Sequence, residues 1–420
     1  MLYMLKLAAR NLKRNFFRTA IAIAAIAAVV AIVVFSRGIM VGFTESSFRL
    51  YIENSLGHVR LINQEYEGRE ALLSLNYTID GAENLPLSDM ITGLEEIAEA
   101  EHVLPRLRFG AMASIDGEMI NMAGVGADMD REERLGALSR DIETGRMPAE
   151  RNEVLLGRGL AEELGVEVDE RFTLVFSDSF QSLQGRTFTV TGIRNTGSPD
   201  IDNNFFWLPL QQAQDMLYLD GEVTEILLFG SSAEAAGSLN QMVSSQLQTW
   251  GVESRYSSVE WSRADPFVEM FLEYDNLMNI VYVFFILLGS VVVVSTMFMI
   301  IRERRTEIGM MAALGLKRRQ IMQVFTLEGA MMGIIGSFLG AIIGGWINYR
   351  ISITGIEVEA LNRVVEGVDW MVDPVLYTAY DVENLIFSFL LGVIITTLAC
   401  LYPARSAAKL DPVDALKIDA

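Results

Sequence analysis

Four stretches without a formal charge constrain this chain more than any other feature. Residues 19–36 (TAIAIAAIAAVVAIVVFS), 276–301, 329–349 and 384–404 are uncharged over 18, 26, 21 and 21 positions. About 20 apolar residues cross a ~30 Å hydrocarbon core at ~1.5 Å per residue, so each stretch reads as a transmembrane helix. The first has the basic front of a signal peptide, but its apolar character runs on through Ile39, Met40 and Phe43 and no polar cleavage region follows. An uncleaved anchor is expected. Apolar residues make up 51% of the chain and charged ones 21%, which fits a membrane protein with a large wet portion.

Orientation follows from the basic residues near the span ends. Residues 1–18 carry Lys6, Arg10, Lys13, Arg14 and Arg18 with no acid, and 302–328 carry six basic residues against three acids. By contrast, 38–275 holds 16 arginines against 41 acids, and 350–383 two against seven. Both termini are expected in the cytoplasm, with 45–275 outside; all five lysines, including Lys317, Lys409 and Lys417, then fall inside. A net charge of −21 argues against a nucleic-acid partner. The lone Cys400 excludes an internal disulfide, and His58 and His102 leave little for a metal site, so none is expected. No catalytic motif is found: G-x-S-x-G, H-E-x-x-H and C-x-x-C are missing, and the nearest approach to a phosphate-binding loop, GMMAALGLK, has Leu316 where lysine is required. The adjacent acids Glu132/Glu133 and Glu162/Glu163 read as solvated helix faces.

The outside segment is long enough for two lobes. Its first residues (GFTESSFRLYIENSLG) continue the first span as a helix, and DPFVEMFLEYDNLMN leads as a helix into the second. GHVRLINQ reads as a strand, LSDMITGLEEIAEAE as a capped amphipathic helix and VLPRLRFGAMASI as a strand. Residues 224–229, 233–250 and 252–257 repeat that β-α-β pattern. The two halves, 55–109 and 222–262, form one porter-like lobe; 110–210, with short strands and a hairpin around Gly185, is a β-rich insertion. The expected fold is an α-helical membrane protein with four transmembrane helices and a large α+β extracytoplasmic domain inserted between helices 1 and 2. The flanking pieces are an amphipathic elbow (1–18), a first span with its stalk (19–44), a cytoplasmic loop (302–328), an external loop (350–383) and a cytoplasmic tail (405–420).

The cytoplasmic loop carries the sharpest signal. Thr306 can cap a short helix whose Ile308, Met311, Ala312 and Gly315 share a face, with Gly315 suited to end it. That face rests either on lipid or on a partner. The third span lines up Gly329, Gly333, Gly336, Gly340 and Gly344, which lets backbones approach closely.

The loop string RERRTEIGMMAALG (302–315) resembles the FtsX/MacB/LolC-LolE class of ABC transporter permeases, as does the tail YPARSAAKLDPVDALK; GVGADMDREERLGALSRDIETGRMPAERNEVLLGRGLAEELGV resembles the lipoprotein-releasing permeases. The resemblance implies a mechanotransmission subunit of the bacterial inner membrane, paired with a second permease chain. A separate ABC ATPase would bind ATP and Mg and receive Glu307, Ile308, Met311, Ala312, Leu314 and Gly315 in a groove. It implies lipoprotein release, with a periplasmic lipoprotein carrier as partner and membrane lipid as surroundings. By position, Phe35, Ile39, Met40 and Phe43 would face Met278, Val281, Phe284 and Phe285 around acyl chains, a place that lipid contact explains equally well. Control of a cell-wall hydrolase by an FtsX-like permease, and MacB-like export of amphiphilic drugs or peptides, are the alternatives.

Overall fold

The computed structural model describes residues 8, 10–12, 14, 16–69, 72–82, 85–115, 118–264, 266–357 and 375–410. Lys6, Lys13, Lys417, much of the external loop and the last ten residues, which carry part of the tail motif, lie outside them. The chain divides into two units, one of residues 1–44, 273–356 and 376–420, the other of 45–272 and 357–375.

Among the described residues, the first unit contains four helices long and apolar enough to cross a membrane. Span one belongs to the helix Phe16–Tyr51 and span two to Pro266–Glu303; span three is Arg318–Thr354 and span four Val382–Ala408. The glycines of span three do different jobs along its length. A Cβ on Gly329 would strike Cys400, and one on Gly333 would press on Thr396, both on span four. On Gly336, Gly340 and Gly344 it would meet span one, lying 2.5 Å from the Ala27 carbonyl oxygen at Gly340 and 2.7 Å from that of Ala31 at Gly344. Span three is thereby wedged between spans one and four, with backbones in contact as small-residue packing in lipid requires. Buried Asn348 donates its side-chain amide to the Val34 carbonyl at 2.9 Å, which ties span three to span one, and its main-chain carbonyl accepts from the Thr378 hydroxyl at 2.8 Å.

Among the described residues, the main sheet of the second unit has ten strands: β1 (Val59–Asn63), β2 (His102–Ile115), β3 (Glu118–Ala127), β4 (Ile142–Gly145), β5 (Glu153–Gly157), β6 (Arg171–Ser177), β7 (Leu183–Arg194), β8 (Phe205–Pro209), β9 (Glu225–Phe229) and β10 (Tyr256–Glu260). One part runs β10-β1-β9-β2 with every neighbour antiparallel. The connections β1-to-β2 and β9-to-β10 each pass through a helix, Leu87–Glu95 and Ala236–Trp250. Two split β-α-β units interlock in this way, which is the ferredoxin-like arrangement. Val59, Leu61, Ile226 and Leu228 pack under Met90, Leu94, Leu239 and Val243, while Leu104, Leu227 and Phe229 on the opposite face are covered by Ile52, Phe48 and Trp261.

The insertion closes on itself. Beyond Arg106, β2 outlasts β9 and pairs with β3; β3 pairs with β8, β8 with β5, β5 with β7, β7 with β6, and β6 returns to Ala111–Ala113 of β2. This six-stranded ring has no free edge, which removes the hazard of an exposed ladder. Phe172, Leu174 and Phe176 alternate inward with Phe188 and Val190 opposite. Gly124 leaves room for the Phe109 and Phe206 rings to meet edge-on, 5.8 Å apart at 88°.

Several expectations need correction. The β6–β7 hairpin turns at Asp178–Ser182, not around Gly185, which sits in β7 opposite Val175. The Asp178 carboxylate sets the turn by accepting the amides of Phe180 and Ser182 and the Gln184 side chain. The final strand starts at Tyr256 rather than 252, because left-handed Gly251 and the turn through Arg255 intervene. The helix Leu87–Glu95 has Pro86 at its N-cap and no side-chain cap. The insertion also runs past 210, since Ala213, Met216, Leu217 and Leu219 belong to the barrel cluster. Finally, Glu132 is not solvated: it is 1% exposed and holds buried Arg106 with two hydrogen bonds, at 2.7 and 2.9 Å. Arg106 also donates to the Asn54 carbonyl in the π-helical turn Ile52–Leu56.

Candidate functional site

Between spans two and three a short helix, Arg305–Ala313, lies on the end of the membrane unit. It starts from Arg304, so Thr306 falls inside the helix and does not cap it. Gly315 supplies the stop with φ of +95°, a conformation that costs glycine little.

The helix is fastened by charge as well as packing. Buried Arg304 donates to Glu307 at 2.9 Å and to buried Glu328 of span three at 3.2 Å, while its guanidinium lies over Phe325. Arg14 of the N-terminal segment grips both oxygens of Glu307 at 2.7 Å. Asn11 reaches Glu328, and Arg18 pairs with Glu303. The Arg14 hydrogen bonds, opposed in part by burial and assisted by Arg304, hold the Glu307 carboxyl below its usual range.

This arrangement turns the expected contact face around. Ile308 is buried in a cluster with Ile301, Phe325, Ala404 and Ala407, and Met311 and Ala312 pack against the same cluster. Glu307 is occupied by two arginines. The chain's own helices therefore cover the i, i+3, i+4 face, because a nine-residue helix this apolar cannot leave that side wet. Of the expected residues, Leu314, at 83% exposure, and Gly315 stand outward, and Met310 and Ala313 accompany them. Lys317, Arg318 and Arg319 follow, also exposed.

The other expected residues are only partly brought together. Met278, Tyr282 and Ile286, at i, i+4 and i+8, cluster together with Val283 against Val29 and Val33 of span one. Phe284 and Phe285 lie off that line and are exposed, while Val281, Phe35, Ile39, Met40 and Phe43 are half-buried. Sequence reasoning missed Arg37, which donates to the Asn279 side chain at 2.7 Å and stacks over Phe387 and Tyr282. A charge ending an otherwise uncharged run was the available signal. Also unexpected is an exposed apolar tip on the β6–β7 hairpin, where Phe180 and Leu183 are 74% and 72% exposed and the Phe180 ring lies 5.8 Å from that of Tyr218. The Nδ1 of His58 accepts the Gly230 amide, and among the described residues no group of three or more His, Cys, Asp or Glu side chains is placed to hold a metal ion.

Four spans, a fastened loop helix and a large α/β domain following the first span define an ABC-type permease. The MacB-like periplasmic core domain matches residues 19–245, more than half of the chain, and the FtsX-like permease C-terminal domain matches 279–412; the chain belongs to this family. It is 26% identical over 283 residues to the lipoprotein-releasing system transmembrane protein LolC of Neisseria meningitidis serogroup B, spanning 64% of this chain and 65% of that one. To LolE of Haemophilus influenzae it is 24% identical over 337 residues, 77% and 79% of the two chains. The macrolide export ATP-binding/permease protein MacB of Psychrobacter arcticus is 28% identical over 244 residues, 57% of this chain and 34% of that one.

Proposed function

We propose that this chain is the permease subunit of a bacterial ABC complex that couples ATP hydrolysis on a separate ATPase, where ATP and Mg bind, to motion of the extracytoplasmic domain. The observation that carries it is the outward end of the loop helix. Leu314, Met310 and Ala313 present an apolar contact, and the Arg14–Glu307–Arg304–Glu328 network gives the helix the rigidity a push requires. A second permease chain completes the assembly in the inner membrane, with both termini cytoplasmic.

Lipoprotein release is the favoured work, since LolC and LolE are relatives over most of the chain. The apolar hairpin tip supports a periplasmic carrier as partner, because patches of that kind on a soluble domain mark interaction sites. The test is Leu314→Asp, which puts an unpaired charge into the proposed contact. The ATPase should be lost on affinity purification while the melting temperature of the chain is unchanged. Retention of the ATPase by this variant would reject the loop helix as the coupling element. Purification of the intact complex should recover bound lipoprotein; finding a hydrolase in its place would favour signalling.

A further inference from the structure

Inside the extracytoplasmic unit, a cavity of about 320 Å³ lies where the barrel meets the ferredoxin-like part. Its walls include Leu56, Leu73, Ala123, Ile201 and Phe205, and Arg108 of β2 lines it. The Arg108 side chain is 15% exposed, yet its guanidinium makes no hydrogen bond, and its Nε is buried without a partner. Its nearest carboxylate oxygen, on Glu225, is 4.0 Å away, beyond hydrogen-bond reach. The Arg108 guanidinium carbon lies 5.2 Å from the centre of the Phe205 ring, a contact that uses none of its N–H groups as hydrogen-bond donors. Arginine presents five donors in a fixed fork suited to a carboxylate or phosphate, and leaving such a group buried and unsatisfied is costly.

We infer that this cavity is a binding site for a small anion carrying a short apolar tail, its carboxylate or phosphate head held by Arg108 and its tail by the apolar wall. Arg60 lines the cavity as well, so its wall carries two guanidinium groups against the one carboxylate of exposed Asp200, which favours an anionic ligand. The volume, near the lower end of the ~300–1,000 Å³ of small-molecule sites, limits the tail to a few carbons. The assignment is independent of the transport reading, since every group it uses lies within one unit.

The experiment is titration of the full-length purified chain with hexanoate, hexyl phosphate, hexanol and inorganic phosphate, followed calorimetrically. Hexanoate or hexyl phosphate should bind, whichever head is preferred, with hexanol and inorganic phosphate at least about tenfold weaker, the cost of one charge-assisted contact or of the lost tail burial. Arg108→Gln should weaken binding by about tenfold or more, with Arg108→Lys between the two. Ala123→Leu, which fills the cavity without touching the charge, should also abolish binding and serves if Arg108→Gln fails to fold. No binding of either anionic amphiphile, equal binding of hexanol or inorganic phosphate, or unchanged binding in Ala123→Leu would overturn the assignment.

Discussion

Glu153 shows how much a single side chain can carry. Arg146 holds both its oxygens, and the amides of Ala149 and Glu150 donate to it at 2.8 and 2.9 Å. The Arg146 hydrogen bonds lead, burial opposes, and the carboxyl ends at about 2. An unfolded glutamate titrates near ~4.3, so the stability Glu153 contributes is present above that pH and is lost as pH falls from about 4 to 2. Glu153→Gln should melt below wild type at pH 7 and converge with it by pH 2; a gap of the same size at both would show that charge is not what matters there. Gly340 makes a different demand. A Cβ there lies 2.5 Å from backbone of span one, so Gly340→Val should cost roughly 1–3 kcal/mol or more in detergent melts, whereas Ile342→Val on the exposed side should be near neutral. The glycine row was legible in sequence, but its division between spans four and one was not, because spacing along a helix does not identify the neighbour.

At the scale of elements, the loop helix and the β6–β7 hairpin teach opposite lessons. The apolar spacing of Ile308, Met311 and Ala312 correctly marked a face that must be covered, and the chain covers it itself. Met311→Asp should therefore lower the stability of the membrane unit, whereas Leu314→Asp should spare it; paired melts and ATPase pull-downs separate the two. In the hairpin, alternation located both strands, yet the turn was misplaced because the Asp178 carboxylate outcompeted a glycine as the turn-former. Phe180→Asp with Leu183→Asp should leave the barrel intact by circular dichroism and abolish carrier capture in crosslinking. Equal crosslinking would move the carrier's contact elsewhere.

For the whole molecule, the proposed topology makes position 317 cytoplasmic and position 185 external. In a Cys400→Ser background, a cysteine at 185 should react with an impermeant reagent in intact spheroplasts and one at 317 should not; the reverse pattern would invert the orientation. The purified chain alone should hydrolyse no ATP, with activity appearing on addition of the ATPase. Span positions, the β-α-β repeats and the family likeness were written locally, in charge-free length, in periodicity and in short motifs that any window of sequence exposes. Closure of the insertion into a ring, the burial of Glu132 beside exposed Glu133, and the outward turn of Leu314 depend on residues far away in the chain. A strand's period tells which side chains share a face, and a helix's spacing does the same. Only tertiary packing decides which face meets a neighbour and which meets water, since burial is a property of the partner as much as of the residue.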